Sequence, residues 1–235
     1  MHRGSVRFFA RLFAFAGDDA EIIARQTPDE TPPPQFDRHI PLHSLPLALG
    51  LFEPQHPAHP YLRADPEMRA VWRQRIGPAP VFRVGLAWAG NRGRRHLHRR
   101  SIPCEKLLPL FRVPGVTFHS LQTNAPDSDH ARLAGAGLTD LTSHITDFAD
   151  TAALISELDL VISVDTSVAH LAGALGKPVW TLLPFVPDWR WGIEREDTPW
   201  YPTMRLFRQP AMGDWDSVIQ RVAGELPKLL FHRSG

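Results

Sequence analysis

Residues 158–180 read LDLVISVDTSVAHLAGALGKPVW. Leu160, Val161, Ile162 and Val164 form a short apolar run rich in β-branched residues, the pattern of a strand buried on both faces. Asp165, Thr166 and Ser167 then stop the strand and offer helix N-cap side chains. Residues 168–175 are helical in pattern, Gly176 stands where a helix C-cap glycine belongs, and Pro178 follows it. Val179, Trp180, Leu182 and Leu183 start another strand. Strand, tight polar turn, helix, strand is half of a doubly wound nucleotide-binding sheet, and such sheets bind ligands at the carboxyl ends of their strands.

The chemistry of this unit sits at its turn. The first backbone N–H groups of a helix have no intrahelical partner, and the helix dipole adds partial positive charge there. A phosphate is the natural occupant. Thr166 can donate its hydroxyl, Ser167 and its neighbours their N–H groups, and His170 returns to the same face one turn later. A protonated His170 adds a charge-assisted donor. Asp165 would repel phosphate and is assigned to capping the helix, orienting the site or holding a sugar hydroxyl. Ala169, Ala172 and Gly173 keep the helix thin, so its backbone can approach the sheet closely. Spacing alone leaves open an ordinary capped helix with a solvated histidine.

The chain around this unit has 235 residues, enough for one large domain or two small ones. Its 43% hydrophobic and 22% charged content is that of a soluble globular protein. A formal net charge of +1 argues against a general nucleic-acid or membrane binder, so any basic site is local. One cysteine, Cys104, excludes an internal disulfide framework and a cysteine-based zinc site within the chain, and fits a reducing, cytoplasmic setting. No apolar run is long enough to span a bilayer. Near the start, Val6, Phe9, Leu12, Phe13 and Ala16 fit helical spacing, and Arg11 breaks the apolar core that a signal peptide needs.

Residues 21–24 form a candidate strand, and four prolines make residues 27–35 irregular. Ser44 is placed to cap a helical turn within the apolar stretch 40–49. Residues 1–62 thus read as a small piece that packs on the main domain without a full core of its own. From Asp65 the pattern alternates. A helix over 65–76, well started by its cap, proline and acid, leads to a strand at 82–88. A helix is expected over 101–111, a strand at 116–121, a weaker one at 138–141, and a helix at 148–158 with Asp147 as cap. After the central unit come an aromatic loop at 184–191, a strand at 203–207, and a helix capped by Asp214. Alternating strands and helices imply a parallel α/β sheet over 63–235. Five arginines and two histidines fall within residues 92–100, at the carboxyl end of the first strand, where arginine forks suit phosphate. Neither GxGxxG nor GxxxxGK[ST] is present.

The segment DLVISVDTSVAHLAGALGKPVW closely resembles the donor-binding segment of heptosyltransferase-like glycosyltransferases of family 9, which have the GT-B fold. The blocks GLAWAGN, RSIP, HSLQ, PDWRW, PWYP and LFRQP, in that order around it, resemble the C-terminal part of bacterial tetratricopeptide-repeat proteins that carry such a domain. The resemblance runs from about Pro32 to the end. It implies a Rossmann-like donor domain, the C-terminal half of a GT-B fold, over 63–235, with residues 1–62 as the tail of the first domain. It implies a nucleotide-diphosphate sugar as donor substrate, no other cofactor, no metal and transfer with inversion. Asp165, Thr166 and His170 match the family's DTxxxH element. The family's phosphate-binding base after the first strand, usually lysine, is here an arginine, Arg95 by spacing or else Arg100. Arg95, Arg100, Thr166, Ser167 and His170 are the expected phosphate ligands, and Asn91, Gln122 and Asp165 orient the site. No catalytic residue is assigned, because the family's acceptor-activating acid lies in a glycine-rich loop for which this sequence has no counterpart. The expectations that follow are a truncated or degenerate enzyme, or a donor half that needs a partner chain, with a protein or glycan as acceptor. The alternative is a non-catalytic nucleotide- or nucleic-acid-binding module built on the arginine run, against which the near-zero net charge counts.

Overall fold

The computed structural model describes residues 35–53, 60–78, 82–90 and 100–231. The candidate helix near the start, the candidate strand 21–24, Asn91 and Arg95 lie outside the described residues.

Six parallel strands form one sheet: β1 (Phe82–Ala87), β2 (Val116–Ser120), β3 (Leu138–Thr139), β4 (Leu160–Val164), β5 (Val179–Leu183) and β6 (Met204–Arg208). Their order is β3-β2-β1-β4-β5-β6. The chain works outward from β1 in one direction, then returns to the middle and builds the other half. Strand order therefore reverses between β1 and β4, which pair in parallel with Leu86 opposite Ile162. That reversal opens a crevice at the carboxyl ends of the two strands.

Every residue of β4 and of β5 is buried, the polar Ser163 and Thr181 included, as their mostly apolar runs lead one to expect. Alternate side chains feed two cores. Leu160, Ile162, Trp180, Leu182 and Phe207 point to one that also holds Leu107, Leu110 and Val222. Val161, Val179, Leu183 and Leu206 point to the other, with Ala152, Leu154 and Ala169. Gly85 in β1 is tightly enclosed: a Cβ there would lie 2.6 Å from Leu121 and from Leu158.

The helices are α1 (Pro66–Ile76), α2 (Asp127–Ala134), α3 (Phe148–Ser156), α4 (Ser167–Ala174) and α5 (Trp215–Phe231). Asp65 caps α1 by accepting the N–H groups of Glu67 and Met68. Buried Trp72 then fixes α1 against α3, donating its indole N–H to Asp150 at 3.1 Å. Arg69 and Arg73 add ion pairs to Glu157. Asp214 accepts the N–H of Ser217 at the start of α5. Helix α4 closes in a Schellman arrangement: the N–H of Lys177 reaches the carbonyl of Ala172 and that of Gly176 reaches Gly173, with Gly176 at φ +70°.

Several expectations need correction. Residues 104–112 form a 3-10 helix with Pro109 inside it, since a proline there removes an α-type hydrogen bond. Strand β3 is two residues long. Helix α2, whose acids Asp127 and Asp129 sit in its first turn, is absent from the sequence reading. Gly173 leaves room for a tyrosine rather than for the sheet: a Cβ there would lie 2.5 Å from the Tyr201 ring. Of the stretch before α1, Leu62 donates its N–H to Ala174 and Tyr61 meets Tyr201. Phe36, Ile40, Leu47, Leu49, Leu51 and Phe52 are exposed.

Candidate functional site

The crevice between β1 and β4 holds a cleft of about 660 Å³, within the usual size of small-ligand sites. Four chain segments line it: Ala87, Ala89 and Gly90 at the end of β1, Leu121–Asn124 after β2, Ile145–Phe148 with Thr151 around the start of α3, and Thr166–Val168 at the start of α4. The N-termini of α3 and α4 thus open on the same space.

Gln122 shapes the first wall. Its side-chain oxygen accepts the N–H groups of Trp88 and Ala89 at 3.0 and 2.9 Å, so the end of β1 is held from β2. Asn124 accepts from the other end of the same amide.

Helix α4 meets the cleft without a side-chain cap. The Thr166 hydroxyl lies 3.2 Å from Ser163 Oγ instead. The N–H groups of Ala169 and His170 turn back to the carbonyl of Thr166. Those of Ser167 and Val168 have no partner among the described residues. The expected Asp165 cap is therefore a correction. The Asp165 carboxylate takes the Arg100 guanidinium at 2.8 Å.

Arg100 also stands 3.6 Å from Asp188 in the loop after β5. It joins the ends of β4 and β5 through two carboxylates and is not a free phosphate ligand in this state. Burial works against the Asp188 carboxylate, yet the backbone and guanidinium of Arg190, with Arg100, hold its pKa below the ordinary value.

Neither Asp165 nor His170 lines the cleft. The His170 ring stacks on Trp191 at 5.3 Å, and Nδ1 lies 3.0 Å from the Tyr201 hydroxyl. Nε2 is 3.9 Å from Asp165. Burial lowers the His170 pKa below its ordinary value; Asp165 opposes this, Arg190 adds to it and Asp188 opposes it. The imidazole is thus neutral at neutral pH in the ligand-free protein, whereas the protonated donor of the sequence reading belongs to a state with an anion bound. Burial raises the Tyr201 pKa, and the bond with Tyr61 adds to that, so the phenol stays protonated beside His170. The loop carrying Trp191 is set by Arg208, which donates to the carbonyls of Trp191, Gly192 and Arg195.

Thr123, Asn124, Thr146, Asp147 and Thr151 are the polar wall residues that the sequence reading leaves out of the site. Asp147 is legible as a helix cap. Nothing local shows that its helix and α4 converge, because that depends on the strand order. Cys104 is buried, and burial together with Asp129 pushes its thiol up to about 11, so it is no nucleophile at neutral pH. Among the described residues, no group of three or more His, Cys, Asp or Glu is placed to hold a metal ion, and no helix is long and apolar enough to cross a membrane.

Comparison with known proteins agrees with this architecture. Residues 133–202, which run from α2 through α4 to the loop before β6, match glycosyltransferase family 9 (heptosyltransferase). Protein FlbA of Caulobacter vibrioides is 32% identical over 177 residues, 71% of this chain but only 28% of its own length. The structure of E. coli ADP-heptose LPS heptosyltransferase II superposes with a TM-score of 0.52 at 19% identity, over 79% of this chain and 56% of that one. A family 9 glycosyl transferase from Veillonella parvula gives 0.50 at 12% identity, over 73% and 53%. At those identities the structural likeness is one of fold: the open parallel sheet is that of GT-B heptosyltransferases. The chain spans little more than half of these structures and about a quarter of its curated relative. The segment that matches glycosyltransferase family 9 supplies β3, β4 and β5 with the starts of α3 and α4 that line the cleft, and over the sheet as a whole the chain shares the fold of heptosyltransferases.

Proposed function

We propose that the cleft between β1 and β4 binds a nucleotide-diphosphate sugar and presents it for inverting transfer without a metal. One observation carries the reading: the uncapped start of α4, with the N–H groups of Ser167 and Val168 unpartnered among the described residues, opens on a cleft of nucleotide size at the strand-order reversal. Departure of the nucleotide diphosphate from the sugar develops negative charge on its outer phosphate. Donors fixed before the ligand arrives stabilise that charge without reorganising. The Thr166 hydroxyl lies at the same point. Asp165, which Arg100 holds outside the lining of the cleft, keeps an orienting role in this reading. In this reading the sheet domain is the donor half, working in the cytoplasm within a repeat-bearing glycosyltransferase, and the acceptor is a protein or glycan.

Calorimetric titration of the purified chain with ADP-, UDP-, GDP- and CMP-sugars, and with the matching nucleosides, tests this. An ADP-sugar heads the series because the E. coli protein is named for ADP-heptose. At least one nucleotide sugar should bind far more tightly than its nucleoside, and EDTA should leave the affinity unchanged. Nucleoside and nucleotide sugar binding equally, or neither binding, would refute the proposal.

A further inference from the structure

Three neighbours hold the His170 ring. It stacks on the fully buried Trp191, with 23° between the planes. The Tyr201 ring meets it edge-on at 5.7 Å and lies over Gly173, three residues further along α4, where a side chain would leave no room for the phenol. Nε2 faces the Asp165 carboxylate. The plane of the ring is thus fixed, and the neutral imidazole has one freedom left: which nitrogen carries the proton.

The two phenols decide it. Tyr61 donates its hydroxyl proton to the Tyr201 oxygen at 3.4 Å. Tyr201 is only 8% exposed and has one proton of its own to place. The acceptor within its reach among the described residues is His170 Nδ1, at 3.0 Å. A neutral ring that accepts at Nδ1 carries its hydrogen on Nε2. Asp165 favours the same tautomer, because a carboxylate 3.9 Å from Nε2 attracts an N–H and repels a lone pair. At that distance it is beyond hydrogen-bond reach, and its other oxygen is taken by Arg100. The Nε2 proton is therefore uncommitted among the described residues, on a side chain 37% open to solvent. His170 is also three residues on from Ser167, whose N–H is open, so the two share a face of α4.

We infer that Tyr201 is a positioning residue for the donor site: it fixes His170 as the Nε2–H tautomer, so that the ring offers a hydrogen bond to the bound diphosphate while still neutral. The identity of the ligand rests on the nucleotide-sugar reading of the cleft; the tautomer does not. The segment ahead of α1 then has a part in the site, since Leu62 ties it to Ala174 and Tyr61 sets the direction of the relay.

The test labels the rings of the twelve histidines with ¹⁵N, the His170 signals being those lost in His170→Phe. In the ligand-free chain, at a pH well above the ordinary histidine value, Nε2 should read as protonated and Nδ1 as a hydrogen-bonded acceptor. Tyr201→Phe removes a single oxygen and should move Nδ1 to the position of a free acceptor or let the two tautomers mix. Calorimetry with the tightest-binding nucleotide sugar then closes a double-mutant cycle. Tyr201→Phe should weaken binding several-fold in the unmodified chain and have no effect in the His170→Phe background, whereas a purely structural loss would be the same in both. A proton on Nδ1, an Nδ1 signal indifferent to Tyr201→Phe, or equal losses of affinity in the two backgrounds would overturn the inference. The first measurement needs neither a Tyr201 variant nor a nucleotide, so it decides the tautomer even where that variant does not fold. If no nucleotide sugar binds, the cleft reading fails, and the ring nitrogens still report whether Tyr201 sets the tautomer.

Discussion

Helices α3 and α4 aim their N-termini at one cleft, and they differ in what meets their first N–H groups. Asp147 bends back over α3 and accepts from Ala149 and Asp150 at 2.8 and 3.1 Å. The donors of α3 are therefore satisfied, and a carboxylate covers the positive end of its dipole. At α4 the residue in the same place is Thr166, whose hydroxyl is engaged with Ser163, and the start of the helix is left open. A capped helix end is a stability feature; an open one beside a cavity is a binding feature. The two helices are of similar length and pack on the same core, so length and burial do not separate them. The cap residue does.

The sharpest way to break the comparison is to remove a single open donor. Ser167 is the first residue of α4, and Thr166 before it is extended, at φ −141° and ψ 173°. Proline is at home in both respects. Ser167→Pro should leave thermal stability nearly unchanged and cost diphosphate affinity about 1.5–3 kcal/mol, the scale of a charge-assisted hydrogen bond. Unchanged affinity in calorimetry would make the open end of α4 incidental.

Arg100 comes next. Removing it strands the Asp165 carboxylate, whose side chain is only 7% exposed. Arg100→Ala should therefore lower stability by about 2 kcal/mol and, by freeing a negative charge near the start of α4, weaken diphosphate binding as well. Denaturant unfolding together with calorimetry separates this from a direct phosphate contact, which would cost affinity alone.

Asp147→Ala should give the opposite split. Loss of the α3 cap costs about 1 kcal/mol of stability, while diphosphate affinity holds or rises, because a carboxylate has left the cleft. A parallel loss of affinity would show that α3 binds the ligand too.

The smallest effect concerns His170. In the free protein its pKa lies below the ordinary value, so its contribution to stability is full above that value and is lost as the pH falls towards the lowered one. A phosphate one turn away would favour the imidazolium. Binding would then take up a proton, and affinity should fall, by several-fold at most, as pH rises between the free and bound pKa values. His170→Phe keeps a ring against Trp191 and should flatten this profile. Matching pH profiles for the two chains would leave His170 as a packing residue.

Much of the fold was legible because it is local. The β-branched run of β4, the caps Asp65, Asp147 and Asp214, and Gly176 at the end of α4 each act within a few residues, and a strand buried on both faces declares itself by composition. The 3-10 character of residues 104–112 was less so, since a proline ends α-type bonding without saying what replaces it. Helix α2 carries only Leu133 as a buried residue, too little for a periodic signal.

The chemistry of the site divides in the same way. The sequence alone determined that Thr166, Ser167 and His170 stand at the end of a buried strand, on or just before a helix, with the residue types that anions favour. Only the tertiary structure decided which of them face the cleft. Strand order brings α3 beside α4, ion pairing takes Asp165 to Arg100, and the ring of Tyr201 fits over Gly173 and draws His170 towards itself and Trp191. Such choices depend on partners 21 and 31 residues away for His170 and 65 away for Asp165, and no period or local propensity carries that information.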